Sequence, residues 1–387
     1  MNVIFLSPHF PPSYYLFCVQ LRRLGVNVLG LADERHEALR PELRDALTDY
    51  YRVENLNDYD QALRAVGYFT HRYGRIDRVA SHNEHWLELE AYLREHFNIF
   101  GKKIEATGEL KRKSLMKRRF LEAGVDAAPG RIVHTLAGAR ELVREVGYPV
   151  IAKPDKGVGA SATYKLGDES ELEAFWRTKP DVEYFMEAFV DARIVTFDGL
   201  ADRDGNVVFY MSLEYGRNIM EVVAEDDHVF YYTLRDIPDD VVAAGKASVR
   251  AFGLREQFFH FEFFRTAEGR LLALEINARP PGWPTTDMFN YANDADVYRE
   301  WASVVAHNRA EYDWTRKYHS MFIGRKDRFR YRHTHDEIVA HFGKCLVETI
   351  AIPAVFGRAM GSHAYLARSA ELDELKAMAA FVQDREA

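Results

Sequence analysis

Two acids, an amide and a guanidinium in the second half of the chain have the types and spacing of a site for a hard cation and the anion it holds. Glu262 lies within FFHFEFF (258–264), and Glu275, Asn277 and Arg279 lie within LLALEINAR (271–279). Both runs read as strands, and Thr266-Ala267-Glu268-Gly269 between them reads as a hairpin turn. Period-two alternation puts Phe258, His260, Glu262 and Phe264 on one face of the first strand. It puts Leu271, Ala273, Glu275, Asn277 and Arg279 on one face of the second. A turn of even length pairs Glu262 with Ala273 and makes Glu275 its diagonal neighbour, roughly 7–8 Å away. A turn of odd length puts Leu274 there and splits the acids between faces. Two acids and an asparagine suit hard cations, which take oxygen ligands and bridge phosphates. An arginine two residues on suits the anion. A plain solvated sheet is the competing reading. Phe259, Phe261, Phe263, Leu272, Leu274 and Ile276 make the opposite face strongly apolar, and a half-wet antiparallel sheet shows that pattern without any metal.

Three earlier stretches carry further candidate groups. YPVIAK (148–153) ends an apolar strand in Lys153, and lysine is seldom buried unpaired. The loop PDKGVGAS (154–161) that follows can fold backbone amides and the Ser161 hydroxyl over phosphates. It is not a Walker A loop, because the lysine precedes the glycines, and glycine-rich hairpin loops are common without function. Glu187-Ala188-Phe189-Val190-Asp191 sets an acid and an apolar pair at a strand end, able to offer backbone hydrogen bonds and a flat wall to a base. A strand edge entering a turn reads the same way. Lys113, within Lys111-Arg112-Lys113, is by itself an ordinary helix cation.

These groups need a scaffold. Residues 1 to about 110 alternate strands (2–6, 26–31, 50–53, 76–80) with helices (13–24, 59–73, 84–96), the first helix capped by Ser13 and ended by Gly25. That order predicts a parallel sheet. Its first strand-to-helix turn is SPHFPPS rather than a glycine fingerprint, which argues against a dinucleotide site. Helices are expected at 111–123, 136–146, 169–176 and 239–252. Strands are expected at 131–134, 148–153, 163–166 and 183–190, with a hairpin at 194–202 and 206–213. A helix at 295–308, strands at 320–324 and 364–367, and a helix at 371–382 complete the chain.

A length of 387 residues accommodates two or three domains. The net charge of −8 argues against a general nucleic-acid binder. Cys18 and Cys345 lie far apart and offer neither a disulfide framework nor a metal spacing, so a reduced, cytoplasmic setting is expected. No stretch reaches transmembrane length, and MNVIFLSPHF lacks a basic n-region.

In order along the chain stand a helix lysine, a strand lysine with a glycine-rich loop, E-A-F-V at a strand end, and E…ExNxR on a hairpin. That order resembles the ATP-grasp superfamily, in particular its carboxylate–amine ligase and biotin-carboxylase-like branch. YPVIAKP (148–154) and LEINARPPG (274–282) are its most specific pieces, and the resemblance covers roughly residues 1–310. It implies an α/β chain, α+β in the ATP-binding part: a Rossmann-like parallel-sheet domain at 1–110, a small ATP-grasp lid at 111–190, and a large subdomain with a C-terminal extension at 191–387. It implies ATP and Mg²⁺, with Mn²⁺ as a substitute. Lys113 then matches the first phosphate lysine, ahead of Lys117 and Lys111, and Lys153 the second. Residues 156–161, with Ser161, match the lid loop. Glu187, Ala188 and Val190 match the adenine linker, and Asp191 stands in for an absent ribose glutamate. Glu262, Glu275 and Asn277 match the metal ligands, and Arg279 the catalytic arginine. His260 reaches the substrate or is structural. Arg217 in EYGRNIMEVVAEDDHVFYY (214–232) is a candidate to pair with a substrate carboxylate and Glu221 or Glu225 with an ammonium, beside solvated-loop readings of at least equal standing; Glu84 in SHNEHW (81–86), after the fourth strand, is a further candidate to face the cleft. Pro280-Pro281-Gly282-Trp283 replaces the paired glycines more usual there.

The implied reaction joins a carboxylate to an amine through an acyl phosphate, releasing ADP and phosphate. The alternatives are activation of bicarbonate, as in biotin carboxylase, and a nucleotide-binding module without catalysis. The implied partners are small-molecule acids and amines, with no nucleic acid and no membrane, and such ligases are often homodimers.

Overall fold

The computed structural model describes residues 1–157, 162–216 and 227–386. Among them, three sheets carry the architecture.

The first is a four-stranded parallel sheet in the spatial order Asp49–Arg52, Asn27–Ala32, Asn2–Leu6, Arg78–Ala80. Its central strand NVIFL is buried throughout, because helices cover both faces. Alternate residues feed different cores. Val3 and Phe5 pack with Phe17 and Trp301, whereas Ile4 and Leu6 pack with Val66 and Phe69 of the helix Tyr59–Tyr73. The first helix runs Tyr15–Arg23 and has no side-chain cap. The expected Ser13 cap is absent, and the buried Ser13 side chain lies against Asp287 and Tyr298 instead.

The second sheet is antiparallel, in the order Gly130–Val133, Tyr184–Ala188, Val150–Pro154, Tyr164–Leu166. Leu142 of the helix Leu136–Val146 and Leu172 and Phe175 of the helix Glu169–Thr178 pack against Val150, Ala152 and Met186. The other face is left to the lysine at 153 and the acid at 187.

The third sheet has nine strands, in the order Leu271–Asn277, Gln257–Thr266, Ala192–Ala201, Leu213–Tyr215, Phe230–Thr233, His319–Arg325, His363–Ser369, Leu346–Ala351, with Val207–Met211 pairing Ala192–Ala201 as well. One expectation changes here. The stretch 214–232 is not simply a loop, since Leu213–Tyr215 and Phe230–Thr233 are antiparallel strands whose tyrosines and phenylalanines build the core. The C-terminal strands extend the same sheet. Pattern reading also passed over the helices Thr285–Asn293 and His335–Phe342 and the mostly exposed edge strand Leu346–Ala351. No helix among the described residues is long and apolar enough to cross a membrane.

Candidate functional site

The two acid-bearing strands pair with a register neither turn length predicts. Near the turn, Arg265 faces Leu271, Phe264 faces Leu272 and Phe263 faces Ala273, the odd register that would set Leu274 against Glu262. A bulge then absorbs Leu274, and Glu275 stands directly opposite Glu262, with Ile276 opposite Phe261 and Asn277 opposite His260. The acids are direct partners, not diagonal neighbours. The bulge also changes the faces. Ala273 and Leu271 belong with Phe259, Phe261, Phe263 and Ile276 in the apolar cluster, contrary to strict alternation. It frees the Ala273 amide to donate to Asp126 O at 2.7 Å, which ties the bulged edge strand to the segment after the lysine helix.

On the polar face, His260 Nε2 lies 3.0 Å from Glu262 Oε1 and His260 Nδ1 lies 2.5 Å from Asp198 Oδ1. Burial opposes a proton on His260, but the carboxylates of Asp198 and Glu262 on either side outweigh it and hold its pKa up at about 9. His260 is thus a spacer between two acids, and the structure places it beside Glu262. Desolvation also works against ionisation of Glu262, yet the hydrogen bond and charge of His260 hold that carboxyl below its usual range. Glu275 moves the other way: desolvation and then the neighbouring Glu262 push it up. Asn277 Nδ2 reaches Glu275 Oε1 at 3.4 Å, and Arg279 Nη2 reaches Asn277 Oδ1 at 3.3 Å, so the four side chains form one row.

Across from this row stand the lysines. Asp155 heads the helix Lys113–Glu122: its Oδ1 accepts from the Ser114 amide and its carbonyl from the Lys113 amide, both at 2.8 Å. Lys113 Nζ donates to Gly157 O at 3.1 Å. Burial lowers its pKa against the pull of Glu275, which places the ammonium within the field of the acid row. Lys153 Nζ lies 2.5 Å from Glu187 Oε1, and Lys117 pairs with Glu187 Oε2 while donating to Ala128 O at 2.6 Å. Burial penalises the Glu187 charge, and the two ammoniums overcome that and keep it ionised. Burial pulls Lys117 down against the same contact.

The remaining expected residues divide. The Ala188 amide donates to Pro129 O at 2.9 Å and is spent within the fold, whereas the Val190 amide makes no hydrogen bond among the described residues and Asp191 is exposed. Glu84 is buried on a short turn; Lys111 Nζ lies 3.7 Å from its Oε1 and donates to its backbone O at 3.2 Å. Glu84 Oε2 is buried without a hydrogen bond among the described residues. Burial pushes its pKa up against the opposing charges of Arg279 and Lys111, so Glu84 belongs to the neighbourhood of Arg279. Ser161, Arg217, Glu221 and Glu225 lie outside the described residues.

Sequence reasoning missed Asp198 and the pairing of Lys117. Asp198 interrupts the otherwise apolar run IVTFDGLA, a signal that was readable. Gly199 beside it is needed for room, since a Cβ there would meet Phe209 O at 2.2 Å.

Residues 112–279, which span all of these groups except Glu84 and its Lys111 partner, match the family model of the carbamoyl-phosphate synthase L chain, ATP binding domain. Over that stretch the chain is similar to an ATP-binding domain. It is 23% identical over 218 residues to the L-arginine-specific L-amino acid ligase of Bacillus subtilis, which covers 54% of this chain and 52% of that protein. It is 28% identical over 188 residues to the D-alanine–D-alanine ligase of Kocuria rhizophila, covering 43% and 49%. The chain thus spans about half the length of these relatives. The likeness of fold extends beyond the matched stretch. The crystal structure of an L-amino acid ligase from Bacillus licheniformis superposes with a TM-score of 0.73 at 16% identity, covering 98% of this chain and 95% of that one.

Proposed function

We propose that the protein is an ATP-dependent carboxylate–amine ligase that forms an amide or peptide bond and releases ADP and phosphate. The observation that carries this reading is the opposition of Glu262, Glu275 and Asn277 on one side to Lys113 and Lys153 on the other, with Arg279 continuing the acid row. The donor set fits Mg²⁺: two carboxylates and an amide oxygen are hard ligands, fewer than the ion takes, and leave positions for phosphate oxygens and water. Burial and the adjacent Glu262 push the Glu275 carboxyl up, as expected of two carboxylates placed side by side. Held by Glu262, Glu275 and Asn277, Mg²⁺ would supply charge neutralisation to the phosphates of the nucleotide.

The chain's own groups do the rest. Lys113 and Lys153 face the phosphates, and Lys153 meets them by sharing its ammonium with Glu187. Arg279 steadies the carboxylate that attacks the γ-phosphorus. That attack makes the acyl–oxygen–phosphorus bond and breaks the bond to ADP, giving the carboxylate a leaving group. An amine then attacks the acyl carbon, phosphate departs, and the amine proton passes to solvent or to a nearby base. Such transfer is mainly positioning and charge neutralisation. Glu84, buried near Arg279 with one oxygen unbonded, suits the ammonium of an amino-acid substrate.

A screen of carboxylates against amines with Mg²⁺ and ATP tests this. ADP and phosphate should appear only when both substrates are present. AMP and pyrophosphate would overturn the acyl-phosphate route, and turnover that needs bicarbonate but no amine would favour a carboxylase.

A further inference from the structure

A file of buried polar groups runs behind Glu262 across neighbouring strands. In their register, His260 pairs with Asp198 and Glu262 with Thr196. The Leu213 amide donates to the Thr196 hydroxyl oxygen at 2.8 Å, and the Thr196 hydroxyl donates to Asp198 Oδ2. Asp198 Oδ1 then holds His260 Nδ1 at 2.5 Å, and His260 Nε2 holds Glu262 Oε1 at 3.0 Å. Thr196 and Asp198 are wholly buried and His260 nearly so.

A sheet does not need this. Ile194, Val195, Phe197 and Leu200 on the same strand are apolar and buried, and replacing a buried charged pair by well-packed apolar residues is often neutral or stabilising. Burying the Asp198 carboxylate is costly. Every link of the file ends on a single oxygen of Glu262, and the other oxygen makes no hydrogen bond among the described residues. Among the described residues, Glu275 has no such support beyond the Asn277 amide at 3.4 Å.

We infer that Asp198, acting through His260 and braced by Thr196, is a positioning residue that orients the Glu262 carboxylate so that one oxygen is held by protein and the other is offered to the cation. The inference rests on the metal reading proposed above and deepens it: Glu262 is the fixed ligand and Glu275 the adaptable one. Partners one layer behind a metal ligand typically change metal affinity by about 10–100-fold.

The test is a Mn²⁺ titration followed by electron paramagnetic resonance in the presence of ADP, with ADP affinity measured separately in chelator. Asp198→Asn should weaken Mn²⁺ binding about tenfold or more and leave metal-free ADP binding within twofold. Thr196→Val should weaken Mn²⁺ binding by a smaller factor, and Thr196→Ser, which keeps the hydroxyl, should restore it. Mn²⁺ binding unchanged within twofold in both Asp198→Asn and Thr196→Val would overturn the inference. So would a parallel loss of Mn²⁺ and metal-free ADP affinity, which would assign the file to the fold of the sheet. If Asp198→Asn does not fold, the valine and serine variants of Thr196 decide the matter between them. A wild-type chain that binds ADP but no Mn²⁺ would instead overturn the metal reading, and the inference with it.

Discussion

The acid row and the lysine group face each other with opposite charge, but they are held in different ways. Glu262, Glu275, Asn277 and Arg279 come from two adjacent strands, and one ladder with one bulge sets their spacing. Lys113, Lys117, Lys153 and Glu187 come from a helix and two strands of another sheet, and only tertiary packing brings them together. Burial and the neighbouring Glu262 push the Glu275 carboxyl up while His260 holds Glu262 down, whereas Lys117 and Lys153 carry their own counter-charge in Glu187. The acid row is therefore built to take up charge, and the lysine group is built to keep its shape while exchanging one partner for another.

The largest effect should come from breaking the acid row. Glu275→Gln combined with Asn277→Ala should lower ATP turnover by about 10²–10³-fold in a coupled ADP assay, with melting temperature nearly unchanged, because the row is not structural. Full turnover in that variant would remove the metal assignment. The lysine group should behave in the opposite sense. Lys117→Met leaves the buried Glu187 with one ammonium and should cost on the order of 3 kcal/mol in urea unfolding. Lys153→Met should lower turnover by at least tenfold more than Lys117→Met does. A larger turnover loss in Lys117→Met than in Lys153→Met would mean that Lys117, not Lys153, meets the phosphates.

The smallest effect concerns an ionisable group with neither partner nor opposite charge. His82 is ringed by Phe5, Tyr14, Phe17, Phe258 and Trp301, with Nε2 unbonded among the described residues. Burial, then Arg94, holds its pKa down at about 3, against an ordinary value near 6.5. The unfolded chain therefore binds the extra proton first as pH falls. The stability this histidine contributes is complete above about pH 6.5 and is lost towards pH 3. Between pH 7 and 4.5 that loss should be about 2–3 kcal/mol, and His82→Phe should remove it from the urea-unfolding difference between the two pH values. An unchanged pH difference in His82→Phe would show that the ring is solvated after all.

The legibility of the chain follows the same division. The acids were readable from alternation, because strands 257–266 and 271–277 alternate visibly in FFHFEFF and LLALEIN. Their register was not, because nothing in the composition of Leu274 marks it as the residue the ladder omits. Lys113 and Lys117 are four residues apart on a helix and both buried, so their shared face was there to be read. That Glu187 would bridge Lys117 to Lys153 could not be read, since it depends on how a helix settles on a sheet about 70 residues further on. The strand Phe230–Thr233 was hidden because an acidic run, EDDHV, precedes it and makes the stretch resemble a loop.

The large sheet has one more consequence, and it concerns segment exchange rather than chemistry. The family match ends at residue 279, yet strand Phe230–Thr233 hydrogen-bonds on its far side to His319–Arg325, and Trp301 beyond the match packs on Phe5 near the start. A gene fragment cut to the match would expose an unpaired apolar strand edge, a template for aggregation. Exchanging the matched segment alone would leave that edge open unless the new surroundings supply a strand in place of His319–Arg325.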